Sequence, residues 1–502
     1  MRRVGPSLAG PAPRPAAHQR AGGQLLAFVL RHWLFLLVFA LGAELRAVVQ
    51  LAYVPAILFY DSYSYLARAF EPRPGAHWPV GYSILLLRPV LSFHNIALIP
   101  LVQHLIGLGM AVAIYALLVH RRVRPWLSAL AATPVLLDAY MLQIEQNVMS
   151  DTLCVGLVLG ALLLLSWRTP PHAVVAGLAG LLLGLAGTVR FVGLFLLIVP
   201  LVYVLVVDRR WRRLAGGTAL VVGVALPLLT YSAWTYTETG QFRPGTSHNS
   251  SAVLYTRTAP LADCAKFVEE DVPPYMLGLC PDAPRGERPA YPGYYAQSWH
   301  HGPAFTTDYP PGVQRFEAQR QFAIQVILHQ PLDVAGAVLG DFTHVFSRRR
   351  WQPPDAWKLK NWHFESEVKT YDPKHNPWLA VDEYGGPQPR VDRSAAAWLR
   401  DYQTWGYTRG PVFAAGILVP LIAAALYWRT RVSGLLAPAL LIAGTCTVLL
   451  LTADSFSFSW RYQLPAIALL PWSGALGLVA LFPKALRVRR DGRPAARHEH
   501  GT

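Results

Sequence analysis

Long apolar runs separated by short polar connectors dominate the chain. The runs have about 20 residues each, enough to cross a hydrocarbon core of about 30 Å. The pattern predicts spans at about Leu25 or Trp33 to Val54, Ile96 to Val119, Trp126 to Leu137, Asp151 to Trp167 and Leu214 to Trp234. It predicts two more between Ala173 and Val207, divided at Thr188–Val189–Arg190–Phe191. The last three run from Pro411 to Trp428, Leu435 to Leu451 and Tyr462 to Phe482. The expected fold is an all-α polytopic membrane protein, a bundle of about ten transmembrane helices with one large extracytoplasmic loop region. Residues 1–24, rich in Pro, Gly, Ala and Arg, are expected to form a disordered cytoplasmic tail. Residues 25–235 form an N-terminal transmembrane catalytic module of about seven spans, with a first outer loop at 55–94. Residues 236–409 form the extracytoplasmic region, 410–483 the C-terminal spans and 484–502 a basic tail. The two halves show no internal repeat of the kind many transporters carry.

Charge refines this picture. The 502 residues carry a net charge of +16, which by itself would suit nucleic acid. The arginines, however, cluster in connectors: His120–Arg121–Arg122–Val123–Arg124, Asp208–Arg209–Arg210–Trp211–Arg212–Arg213, Arg429 and Arg431, and the tail from Lys484. That is the positive-inside bias of a membrane protein, and no nucleic-acid partner is expected. It sets both termini in the cytoplasm and the chain in the plasma (cytoplasmic) membrane, with an uncleaved first span. Asp61, Glu145, Asp151, Arg190, Asp454, Arg461 and the long region then fall outside. Glu44 and Arg46 lie in the first span, two residues apart, so they cannot pair with each other and should face protein. Cys154 and Cys446 read as packing residues. Cys264 and Cys280 share the polar region, where a disulfide is allowed if that region is extracytoplasmic. Val334, Val338, Phe342 and Val345 make a helical stripe. It predicts an amphipathic helix over 331–346, either on the membrane surface or packed in a small soluble domain.

Both signs of charge collect at the expected outer boundary. Asp61 heads the first loop, with Arg68 two helical turns on, and Glu145 precedes the fourth span, which Asp151 opens. Arg190 and Arg461 mark two further span ends. Arginine matches phosphate oxygens bidentately, and a carboxylate within hydrogen-bond reach can take a proton from an attacking hydroxyl or amine. The set suits transfer of a sugar from a lipid-linked phosphosugar. Asp61 would be the base, with Asp151 and Glu145 assisting. A second acid could orient the nucleophile or, as Asp61 with Asp151, hold a divalent metal ion. Arg190, Arg461 and Arg68 would bind the donor phosphate. Tyr63, His77 and Tyr82 would line the sugar pocket, and adjacent His300 and His301 read as exposed loop residues. The competing readings are a transporter or flippase of lipid-linked sugars, an oligosaccharide ligase or polymerase using a diphosphate-linked glycan, and a non-enzymatic scaffold.

Five stretches, in this order, resemble the GT-C superfamily of membrane glycosyltransferases, in the branch of protein O-mannosyltransferases and the lipid A aminoarabinose transferase. They are Tyr60–Asp61–Ser62–Tyr63–Ser64–Tyr65, Pro79–Val80–Gly81–Tyr82, Met149–Ser150–Asp151–Thr152–Leu153, Thr188–Val189–Arg190 and Arg461–Tyr462–Gln463–Leu464–Pro465. The resemblance implies a GT-C-type bundle, a polyprenyl-phosphate-linked sugar donor, inverting transfer and a first-loop Asp as base. The acceptor would be a cell-envelope glycan, lipid or protein. Ser62 follows Asp61 where the eukaryotic mannosyltransferases carry a second acid, which leans towards a bacterial member.

Overall fold

The computed structural model describes residues 17–488 except 75–77, 191–194, 209–210, 243–246, 269–271, 289–302, 351–361 and 428–433. Within them the chain is mostly helical, with almost no sheet. A two-stranded sheet pairs Tyr53 with Val391 and Val54 with Arg390. Helix α1 (Ala17–Ala52) is followed by the short α2 (Tyr60–Phe70) and α3 (Arg88–Leu91). Then come α4 (Leu98–His120), α5 (Pro125–Leu137), α6 (Ala139–Gln146), α7 (Asp151–Trp167), α8 (Ala173–Val189), α9 (Ile198–Val207) and α10 (Trp211–Thr239). After the long polar region come Gly410–Leu426, Leu436–Asp454 and Leu464–Leu481. Each of the ten apolar runs therefore lies on a helix. Among the described residues, five helices are long and apolar enough to cross a membrane, or up to eight if each bent pair is one span. This is the architecture of an all-α polytopic membrane protein.

Leu464–Leu481 is the hub, packing against α5, α7, Gly410–Leu426 and Leu436–Asp454. Its side chains are buried nearly all round, as expected of a helix without a polar face. Small residues let backbones touch, the usual way helices associate in lipid. A Cβ on Gly416 would meet the Leu470 carbonyl oxygen at 2.4 Å. Along the α8–α10 seam, a Cβ on Gly180 would meet the Leu220 carbonyl oxygen at 2.2 Å, and one on Gly223 the Gly177 carbonyl oxygen at 2.2 Å. Gly180→Val is therefore expected to destabilise the protein by about 1–3 kcal/mol through overpacking. A detergent unfolding midpoint would read the loss, and an unchanged midpoint would mean the seam is not this tight.

The helices sort charge to opposite ends of the bundle. The connector after α4 meets the segment after Leu464–Leu481: Arg124 N donates to the Leu486 carbonyl at 3.1 Å and Val488 N to the Arg122 carbonyl at 2.9 Å. Arg121 also reaches Thr169, after α7, and the Gly434 carbonyl, before Leu436–Asp454. The other ends of α7 and Leu464–Leu481 carry Asp151 and Arg461. A helix of 17 residues separates its two ends by about 25 Å.

Two expectations about polar residues are corrected. The stretch carrying Glu145, expected to offer its acid at the outer boundary, is closed off inside the bundle. It is α6, buried throughout, which continues α5 after a 47° bend. Asp138 makes the bend by accepting from Tyr140 N at 2.9 Å and capping α6. The carbonyls that α5 leaves open at the bend are taken by Arg46, which donates to Val135 and Leu136 at 2.9 Å each. Arg46 faces protein as expected, but Glu44 is exposed on α1.

The long region divides into two lobes. One, around Tyr255, Met276, Phe322 and Val326, holds the Cys264–Cys280 disulfide. The helix expected over 331–346 forms as Pro331–His344, with Leu332 and Leu339 exposed and none of its residues fully buried. The other lobe packs Phe364, Leu399 and Tyr402 on the end of α1 and on α6.

Candidate active site

The first turn of α2 is pinned from two directions. Ser62 Oγ accepts from Phe59 N at 2.9 Å and donates to the Val148 carbonyl at 2.9 Å. This second bond ties α2 to the segment that leads into α7, and so brings Asp61 beside Asp151. Asp61, Tyr65 and Arg68 share one face of α2 by their spacing of four and three. The Tyr65 hydroxyl lies 3.2 Å from Ser150 Oγ, so the α7 N-cap residue is held by α2 rather than by its own helix. Burial, helped by the charge of Asp61, pushes the Tyr65 hydroxyl up to about 12, against Arg461, Arg190 and Ser150. Tyr65 is therefore a protonated hydroxyl at neutral pH.

Two arginines complete the cluster. Arg461, in the 3-10 turn Trp460–Gln463, donates from Nη1 to Asp61 Oδ2 at 3.0 Å and from Nε to Asp151 Oδ2 at 2.9 Å. Arg190, the C-cap residue of α8, donates to Asp151 Oδ1. Two acids thus face two guanidinium groups, and the cluster is neutral by count. Tyr462 lies against both cations, 5.4 Å from Arg190 and 5.9 Å from Arg461, and Trp362 lies 5.3 Å from Arg461. Gly81 closes the set, since a Cβ there would meet the Thr188 carbonyl at 2.5 Å. The Pro79–Tyr82 stretch must therefore lack a side chain to pack on the turn that carries Arg190. All five stretches named from the sequence meet here.

Other residues nominated from the sequence lie elsewhere. Glu145 is fully buried, with Oε1 2.9 Å from Arg46 Nη2 and Oε2 2.8 Å from His104 Nδ1. Its charge is already paired with Arg46 on α1, and His104 on α4 bonds its other oxygen, so it does not join Asp61. Tyr82 is also fully buried. Its hydroxyl donates to Gln103 Oε1 at 2.9 Å, and its ring packs edge-on against Tyr65 at 5.1 Å, so it supports α2 rather than lining a pocket. Tyr63 points along a different face of α2, against His375 at 5.1 Å. His375 and Asp372 are bonded at 2.7 Å, and that bond holds the Asp372 carboxyl below its usual range. Arg68 lies 5.7 Å from the Trp78 ring and forms no ion pair among the described residues; its Nη1 is buried without a partner. His77 and the pair His300–His301 lie outside the described residues.

The acids do not fit a divalent metal ion in this arrangement. Three of the four oxygens of Asp61 and Asp151 accept from guanidinium groups, and a third cation would be repelled. No group of three His, Cys, Asp or Glu able to hold a metal occurs among the described residues.

Sequence reasoning missed Trp362, one tryptophan among many aromatics in the long region. It also missed Arg350, which is enclosed by the rings of Tyr140, Tyr407 and Trp460 at 3.2, 4.7 and 4.4 Å. Burial lowers the pKa of this guanidinium, but its base value leaves it charged. It pins the turn that carries Arg461. His104 had a legible signal, being an ionisable residue inside an apolar span.

No family model matches the chain, and no curated protein matches it. A solved structure that resembles it is the archaeal oligosaccharyltransferase AglB from Archaeoglobus fulgidus, in complex with an inhibitory peptide and a dolichol-phosphate. The likeness has a TM-score of 0.39 and 13% identity, over 92% of this chain. The chain spans about half of that protein, 53% of its length. Likeness at this level carries no functional inference.

Proposed function

We propose that this protein is a membrane glycosyltransferase. It moves a sugar from a polyprenyl-phosphate-linked donor to an extracytoplasmic glycan, lipid or protein, with inversion at the anomeric carbon. The observation that carries this reading is the convergence of five short stretches, as much as 400 residues apart, on one pair of acids and one pair of arginines. They meet at the end of the bundle opposite the basic connectors, which the positive-inside bias assigns to the extracytoplasmic side.

The neutral cluster suggests an exchange of partners. The donor phosphate takes the place of Asp61 on Arg461, whose fork fits phosphate oxygens, with Arg190 beside it. Asp151, bonded to both arginines, keeps them aimed. Asp61 is released to face the acceptor. The acceptor oxygen or nitrogen attacks the anomeric carbon, and the bond from that carbon to the phosphate oxygen breaks. The electron pair leaves with the phosphate, where the two cations stabilise it, and the acceptor proton goes to Asp61. Arg68, with no acid partner among the described residues, extends the cationic rim along α2.

The test uses purified protein in nanodiscs and in liposomes, with labelled polyprenyl-monophosphate sugars and a polyprenyl-diphosphate glycan. The expected result is covalent transfer from the monophosphate donor. Movement across the liposome bilayer without a covalent product would replace the reading with a flippase, and use of the diphosphate donor alone would replace it with a ligase or polymerase.

A further inference from the structure

A second buried polar cluster lies next to the arginine turn, and nothing in the mechanism above uses it. Asp454 ends the helix Leu436–Asp454, and Gln463 ends the turn that carries Arg461. Arg257 comes from helix Ser247–Thr258 and Asp341 from Pro331–His344, both in the long region. Arg257 Nη1 donates to Asp341 Oδ2 at 2.8 Å, and Phe458 N donates to the same oxygen at 3.2 Å. Pro331–His344 and the turn Trp460–Gln463 both pack on the helix that Asp454 ends, and the Gln463 side chain reaches the Asp454 carboxylate. Asp454, Gln463 and Arg257 are at most 5% exposed. Yet both Asp454 oxygens, Gln463 Oε1 and Arg257 Nε and Nη2 lack a hydrogen-bond partner in good geometry.

Buried polar atoms left open cost stability, so such a group calls for something to satisfy it. The open atoms include donors and acceptors together. A metal ion would satisfy the acceptors alone and would be repelled by Arg257. A phosphate would satisfy the donors alone and would be repelled by the two aspartates. A hydroxyl both donates and accepts, and a ring bearing several hydroxyls suits the whole set. Phe458 and Trp460, edge-to-face at 5.0 Å, supply apolar surface beside it. Gln463 and Arg461 share the turn Trp460–Gln463, so the cluster adjoins the arginine that would hold the phosphate.

We propose that Asp454, Gln463 and Arg257 bind the hydroxyls of the donor's sugar ring. This deepens the glycosyltransferase reading and rests on it. It gives the long region a role, because Arg257 and Asp341 come from it. Entry of the ring requires the segment 455–459 to lift, since the cluster is closed to solvent.

The test compares binding of two probes to the full-length protein in detergent: citronellyl phosphate and citronellyl-phosphoryl hexose. The wild type should bind the sugar-bearing probe more tightly. Asp454→Asn and, as an independent variant, Gln463→Met should each weaken the sugar-bearing probe by about tenfold to a hundredfold. Binding of the sugar-free probe should stay within about twofold, because hydrogen bonds to the phosphate are untouched. Equal loss for both probes, no loss for either, or no preference of the wild type for the sugar would overturn the subsite and leave the phosphate site standing. A wild type that binds neither probe would instead remove the glycosyltransferase reading, and the subsite with it.

Discussion

Asp61→Asn should lower sugar transfer by about 10²- to 10⁴-fold, the usual contribution of a positioned base, while donor binding holds or tightens. Asparagine cannot take the acceptor proton. It also removes one negative charge from a cluster of two acids and two arginines, so Arg461 loses an ionic partner. The cluster then carries a net positive charge, which favours an incoming phosphate. The two effects separate in one experiment, with single-turnover transfer measured beside binding of a labelled donor. Retention of most of the transfer rate would remove Asp61 as the base. A parallel loss of donor binding would point to a role in holding the phosphate site together. Ser62 is bonded to Val148, and an acid there would break that bond and displace α2. Asp61 therefore shares Arg461 with Asp151 across the bundle rather than pairing with a neighbour in its own loop.

Arg46→Met should destabilise the protein by about 3–5 kcal/mol, the cost of leaving one member of a buried ion pair alone. Arg46 is 3% exposed and holds two things at once. It neutralises Glu145, and it satisfies the carbonyls at the α5–α6 bend. Glu145 has no room to turn away, since even a Cβ on Gly107 would lie 2.0 Å from its Oε1. Methionine fills the volume and does neither task. His104 remains bonded to the carboxylate, so part of the charge stays compensated. The double variant Arg46→Met with Glu145→Leu should recover much of the loss, because it removes both charges. Thermal unfolding in detergent checks both variants. A single variant as stable as the wild type would mean the pair contributes nothing to the fold.

These two ion clusters mark how far the chain can be read without its fold. Glu145 and Asp151 are six residues apart and look alike in the sequence, each an acid near the start of the same apolar run. Glu145 turns inward to Arg46, 99 residues away, whereas Asp151 meets Arg190 and Arg461, 39 and 310 residues away. Spacing along a helix reports which face a residue occupies and gives no information about partners at such separations. Tyr82 failed for a related reason. An aromatic beside a loop reads as a pocket wall, and only the position of Gln103 on α4 decides that its hydroxyl is already taken.

Residue order alone marks out the ten apolar runs as helical and separates the basic connectors from the acid-bearing ends. Both properties are local, set by the hydrophobic content of successive residues and by where charge falls between runs. It also picked out the five stretches that meet. The folded arrangement of the helices settled which charges neutralise each other. It left Asp61 and Asp151 on a shared Arg461, with Arg190 on Asp151 as well, committed Glu145 to the core, and brought Arg257 and Asp341 from the long region to Asp454. Those outcomes depend on which helix backbones approach closely enough to touch, and that is settled by packing at Gly81, Gly180 and Gly416 rather than by any pattern within a single element.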